Sequence, residues 1–123
     1  MRIILQFPFF LLICIQTFGQ SNPLIVKDSV AQMAWVENQY ANMSLQEKVG
    51  QLFMVSVASN QSKAATDKVK DLVEEQGIGG VIFLVGGPLQ QAKLANEYQS
   101  VSKVPLLIGS DAEWGLAMRL DST

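Results

Sequence analysis

Histidine is missing from this chain altogether, and cysteine occurs once, at Cys14. Without histidine no Ser–His or Cys–His nucleophile pair can be assembled from these residues, and metal sites built on His or Cys are excluded with it. A lone cysteine has no partner for a disulfide. Nine basic and eleven acidic side chains give a formal net charge of −2. They form no basic cluster, so the electrostatic footprint of a nucleic-acid-binding surface is absent. No apolar run reaches the roughly 20 residues that a membrane-spanning helix needs.

The longest apolar stretch is Ile3 to Ile15, interrupted only by Gln6 and Pro8. It follows Arg2 and leads into Thr17-Phe18-Gly19. A basic start, a short apolar segment and small residues at the first and third of those last positions make an export signal over residues 1–19, cleaved before Gln20. An uncleaved tether is the alternative. Lipid attachment at Cys14 fits less well, because Ile13 stands where that processing requires a small residue. Cleavage removes Arg2, Cys14 and no acid. The expected product is periplasmic or secreted, thiol-free, slightly more acidic and without a membrane partner. About a hundred residues remain, the lower end of an ordinary domain.

Asn22-Pro23 disfavours helix in an extended lead-in. A helix is predicted from Asp28 or Ser29 to near Asn42, with Val30, Met33, Ala34 and Tyr40 near one face; residues 20–43 thus form an N-terminal extension and helix. Ser44-Leu45-Gln46-Glu47 is a capping-box pattern, and Leu45, Val49 and Leu52 are the apolar stripe of the short helix behind it. Phe53 to Val57 reads as a strand covered on both faces. Ala65, Val69, Leu72 and Val73 recur at helical spacing until Gly77 stops the helix. Gly80 to Val85 is the strongest strand in the sequence. Pro88 suits the first turn of a helix that carries Leu94, Tyr98 and Val101. Val104 to Ile108 is the third strand.

Three strands separated by two helices make a β-α-β-α-β unit, for which a parallel sheet with right-handed crossovers is expected. After the third strand come residues resembling another loop and helix but no fourth strand. An apolar edge left open there is a hazard that complete proteins cover. The expected object is the first part of a larger α/β domain.

The glycine groups Gly77-Ile78-Gly79-Gly80 and Gly86-Gly87 are not phosphate cradles. The first precedes its strand instead of following it, and the second lacks the lysine and hydroxyl of a P-loop. Turn formation explains both, and no cofactor is expected. The chemistry-bearing segment is Asp111-Ala112-Glu113-Trp114-Gly115, followed by Arg119, just past the third strand. Parallel α/β proteins place ligand-binding groups at the carboxyl ends of their strands. Asp111 and Glu113 point the same way if the segment is extended, yet working carboxylate pairs usually come from different strands that fix their separation. One carboxylate accepting from a polyol with Arg119 beside it, or a purely structural Asp–Arg or Glu–Arg pair, fits better. Trp114 suits either stacking against a sugar ring or packing beneath its loop. Trp35 is assigned to packing.

Four segments in order carry a resemblance. They are Met43-Ser44-Leu45-Gln46-Glu47-Lys48-Val49-Gly50-Gln51-Leu52-Phe53, Ile78-Gly79-Gly80-Val81-Ile82-Phe83, Val104-Pro105-Leu106-Leu107-Ile108, and Asp111-x-Glu113-x-Gly115-x-x-x-Arg119. Together they are similar to the amino-terminal portion of glycoside hydrolase family 3, most like its bacterial β-N-acetylglucosaminidase branch (β-N-acetylhexosaminidases). The resemblance implies that residues 44–123 are the first three strand-helix units of a (β/α)8 TIM barrel, truncated, in an exported enzyme that removes terminal β-N-acetylglucosamine with retention through a covalent glycosyl-aspartate. It makes Asp111 a binder of sugar hydroxyls with Arg119 alongside, and gives Glu113 and Gly115 shaping roles. Trp114 stands where many members carry a second glycine. The family's nucleophile and its acid/base, a loop histidine in this branch, lie beyond Thr123, so no catalytic residue is assigned here and the fragment alone is expected to be inactive. A carbohydrate is the implied partner, along with the missing remainder of the barrel. A β-glucosidase or xylosidase of the same family, and a non-catalytic exported sugar-binding module, are the alternatives.

Overall fold

The computed structural model describes residues 25–121, so the signal-peptide reading of residues 1–19 lies outside the described residues. The chain divides into two units, 1–35 and 36–123. Helix α1 (Ser29–Asn42) begins where Asp28 accepts the Ala31 amide at 2.9 Å. None of its residues is buried, and Trp35, expected to pack, is half exposed. Tyr40 presents its ring to the Lys48 ammonium, 4.0 Å from the centroid.

The short helix α2 (Leu45–Gly50) carries the capping box expected of it. The Glu47 amide donates to Ser44 Oγ at 3.2 Å, and Ser44 N–H donates to Glu47 Oε2 at 2.8 Å. The other carboxylate oxygen accepts from Lys103 at 2.8 Å, tying α2 to a loop more than fifty residues away in sequence. Strand β1 (Met54–Ala58), helix α3 (Lys63–Gln76), strand β2 (Gly80–Val85), helix α4 (Pro88–Val101) and strand β3 (Leu107–Ser110) follow in order. Helix α3 ends at Gly77, whose φ of +62° is the left-handed cap conformation that side chains resist, and whose amide donates to Leu72. Helix α4 begins with Pro88 behind Gly87.

The three strands form one parallel sheet in the order β1-β2-β3. Paired residues share a face, so Val55, Val81 and Ile108 make one row and Val57, Phe83 and Ser110 the next. Val57, Val81 and Phe83 are buried beneath Val69 and Val73 of α3 and Leu94 and Tyr98 of α4. Both crossover helices therefore cover the same face of the sheet. Tyr98 is fully buried and donates its hydroxyl to the Thr66 carbonyl at 3.1 Å. Burial, reinforced by the charges of Glu97 and Asp67, pushes that phenol up to about 12.

Three expectations need correction. The first strand was read as covered on both faces, but among the described residues no helix packs over the opposite rows, Met54, Gly80 and Leu107, then Ser56, Ile82 and Gly109. The stripe Leu45, Val49 and Leu52 is exposed. Leu45, Val49, Phe53, Val55, Leu72 and Ile78 instead line an open apolar groove of about 540 Å³. The third strand runs over Leu107–Ser110, three residues late. Pro105 has no N–H to give a ladder, and the Leu106 amide and carbonyl are both taken by the Gln99 side chain, at 2.8 and 3.1 Å. Gly109 and Ser110, read as loop, pair with Ile82 and Phe83.

Lys103 and the two Ser44 contacts hold Glu47 down to about 2 from an ordinary 4.5. A carboxylate depressed by folding stabilises the fold fully above its unfolded value and loses that contribution as pH falls through the folded one. The stability difference between the parent and Glu47→Gln, measured by urea unfolding, should be constant above pH 4.5 and shrink between 4.5 and about 2. A difference that ignores pH across that window would show that ionised Glu47 contributes nothing to the fold.

Candidate functional site

The carboxyl ends of the three strands come together at one end of the sheet. β1 leads into Ser59, β2 into Gly86-Gly87 and β3 into Asp111. Pairing shifts by one residue between Val57 and Ala58, so that Ala58 lies opposite Val85. The extra residue is Leu84 of β2, and a bulge bends the strand that carries it and redirects the residues after it. Past the shift, Ser59, which is buried, donates its hydroxyl toward the Val85 and Gly87 carbonyls.

Beyond β3 the chain turns at Ala112 to Gly115, where the Gly115 amide donates to Ala112 at 3.0 Å. A single 3-10 turn, Leu116–Met118, brings Arg119 back to the start of the loop. The Arg119 guanidinium then grips Asp111 twice. Nε donates to the Asp111 backbone carbonyl and Nη2 to carboxylate oxygen Oδ2. The guanidinium side chain is 23 % exposed and the carboxylate 42 % exposed. Arginine suits this position because its planar fork reaches a carbonyl and a carboxylate together, which a lysine cannot do. Asp111 Oδ1 has no hydrogen-bond partner among the described residues.

The site residues proposed from sequence therefore separate. Asp111 and Arg119 meet. Glu113 does not join them: the turn removes the extended alternation that would have aimed both carboxylates the same way, and Glu113 is exposed. Trp114 does not pack beneath the loop. Its side chain is 87 % exposed at the loop's tip, while its amide contacts Met118 Sδ at 3.3 Å. The indole is thus left as an exposed apolar face on the same loop as the Asp111 carboxylate. Among the described residues no three His, Cys, Asp or Glu side chains converge in a way that could hold a metal ion.

Sequence reasoning missed Ser59 and the structural part played by Gly86. Neither belongs to a motif, and the bulge that brings them together has no local signature. The turn glycines at 86 and 87 were the available signal.

No family model matches the sequence, and no curated protein matches it. A solved structure does: the beta-glucoside phosphorylase BglX bound to 2FGlc aligns with a TM-score of 0.57 at 23% sequence identity. The alignment covers 69% of this chain and 17% of that one, so this chain spans a small part of its structural neighbour. At that identity the likeness is one of fold.

The fork on Asp111 leads to a stability expectation. Arg119→Lys keeps the charge but cannot hold both acceptors, and should cost about 1 kcal/mol in urea unfolding, the scale of a partly exposed ion pair. Unchanged stability would mean that the loop holds its shape without the fork.

Proposed function

We propose that this chain is the beginning of an exported glycosidase, and that its contribution to catalysis is a sugar-binding carboxylate, Asp111, aimed by Arg119. The observation that carries the reading is the double grip of Arg119 on Asp111 at the carboxyl ends of parallel strands. It fixes one carboxylate oxygen and leaves the other to accept from a ligand hydroxyl. Parallel α/β enzymes build their sites at this end of the sheet.

The larger fold belongs to the same proposal. Residues 44–123 make the first three strand-helix units of a (β/α)8 barrel, and residues 20–43 an extension ahead of it. Sequential strand order with both helices on one face favours a barrel over a doubly wound sheet, in which helices cover both faces. The uncovered face and the apolar groove beside α2 are surfaces that further strands and helices of a closed barrel would bury. The nucleophile and the proton donor come from those later units.

The resemblance to glycoside hydrolase family 3 and the fold shared with a β-glucoside phosphorylase both support a carbohydrate substrate. The sequence motifs favour a terminal β-N-acetylglucosaminide. The structural neighbour's printed substrate favours the alternative, a β-glucoside.

The full-length protein, assayed with p-nitrophenyl N-acetyl-β-glucosaminide and p-nitrophenyl β-glucoside in parallel, should turn over the first faster. Preference for the glucoside would move the assignment to the alternative, and binding without turnover of either would make the protein a sugar-binding module. Asp111→Asn keeps the shape but loses the charge, and should lower kcat/KM about 10- to 100-fold, as expected for a hydrogen bond to a charged group. An unaffected kcat/KM would remove Asp111 from the site.

Export rests on the residue pattern of positions 1–19. Mass spectrometry of the secreted or periplasmic protein should find Gln20 as its first residue; an intact Met1 would contradict cleavage.

A further inference from the structure

The loop that carries Asp111 and Arg119 is tied at its far end to a different strand. Leu120 forms a parallel bridge with Gly86, and the Asp121 amide donates to the Gly86 carbonyl at 3.2 Å. The loop is thus anchored at β3, at the Asp111–Arg119 fork and at Gly86. Of these, only Gly86 lies outside β3 and the loop that follows it.

Gly86 is held in turn by Ser59. The Ser59 amide donates to the Val85 carbonyl at 2.9 Å. Its hydroxyl, with one proton to give, is shared between the Gly87 carbonyl at 3.3 Å and the Val85 carbonyl at 3.5 Å. The packing is close. A Cβ on Gly86 would lie 2.1 Å from Ser59 Oγ and 2.9 Å from the Asn60 nitrogen, and Gly86 has φ of +119°, where L side chains are strained. Ser59 is buried, and it follows the register shift at which Leu84 of β2 is the extra residue.

We propose that Ser59 and Gly86 are positioning residues: a seat built from the ends of β1 and β2 that sets where the Asp111–Arg119 loop stands. Neither touches the ligand. Ser59 fixes the Gly86-Gly87 backbone, the Gly86 carbonyl fixes residues 120 and 121, and these place Arg119, which aims Asp111. The seat itself needs no ligand; its consequence for catalysis rests on the sugar-binding reading of Asp111.

Two variants of the full-length protein load the seat from opposite ends. Ser59→Ala removes the hydroxyl from the β1 side, and Asp121→Pro removes the amide that donates to Gly86 without altering β1 or β2. In each, hydrogen exchange of residues 111–121 should run about fivefold faster, the ratio expected for one lost hydrogen bond, with α3 and α4 unchanged. KM for the better of the two nitrophenyl glycosides should rise while kcat falls less. Faster exchange with an unaltered KM would leave the seat standing and overturn the sugar-binding role of its loop. Exchange of residues 111–121 that matches the parent in both variants would overturn the seat, whatever the activity. Gly86→Ala forces a Cβ into Ser59 at a backbone conformation that resists side chains, so the two milder variants carry the test.

Discussion

The burial of one sheet face under two helices is the constraint from which the other features follow. Val57, Val81 and Phe83 on the strands meet Val69, Val73, Leu94 and Tyr98 on α3 and α4. Each such side chain gains roughly 1.5–3 kcal/mol on full burial. Parallel strands cannot be joined by tight hairpins, so each connection must cross back along the sheet, and a helix is the compact way to do that. With both helices packed on one face, all three strands point the same way. Their carboxyl ends are brought to one edge of the structure.

That shared edge explains how residues more than fifty positions apart form one assembly. Ser59, Gly86 and the loop from Asp111 to Asp121 each follow a different strand. Bonds between strand ends restrain the loop, in addition to the bonds within it. A loop restrained in this way can hold a carboxylate in one orientation, which hydrogen-bonding recognition requires. Trp114, at the tip and free of packing, is not restrained to the same degree.

The fold alone does not specify an activity, because parallel α/β units host many chemistries. What distinguishes this unit is the loop at its strand ends, which carries an arginine-held carboxylate and an exposed indole. The chain has no histidine, and among the described residues no second carboxylate joins Asp111.

Local chemistry made much of this legible in the residues. The capping box at Ser44 and Glu47, the stop at Gly77, the Pro88 start and the unbroken apolar run of β2 each depend on a few neighbouring side chains. So does the pairing of Asp111 with Arg119, eight residues apart and held by a short turn. Long-range contacts decided the rest. β3 begins at Leu107 because Gln99, on another element, occupies the backbone of Leu106. Trp114 is exposed and Glu113 stands apart because the loop turns at Ala112 instead of running straight. Ser59 is drawn into the site by a register shift between two strands, which no spacing within either strand encodes. Sequence alone determined the order and kind of the elements, since propensity and capping act over a few residues. Tertiary structure decided which strand ends meet and which side chains they hold, since those depend on pairing and packing between distant segments.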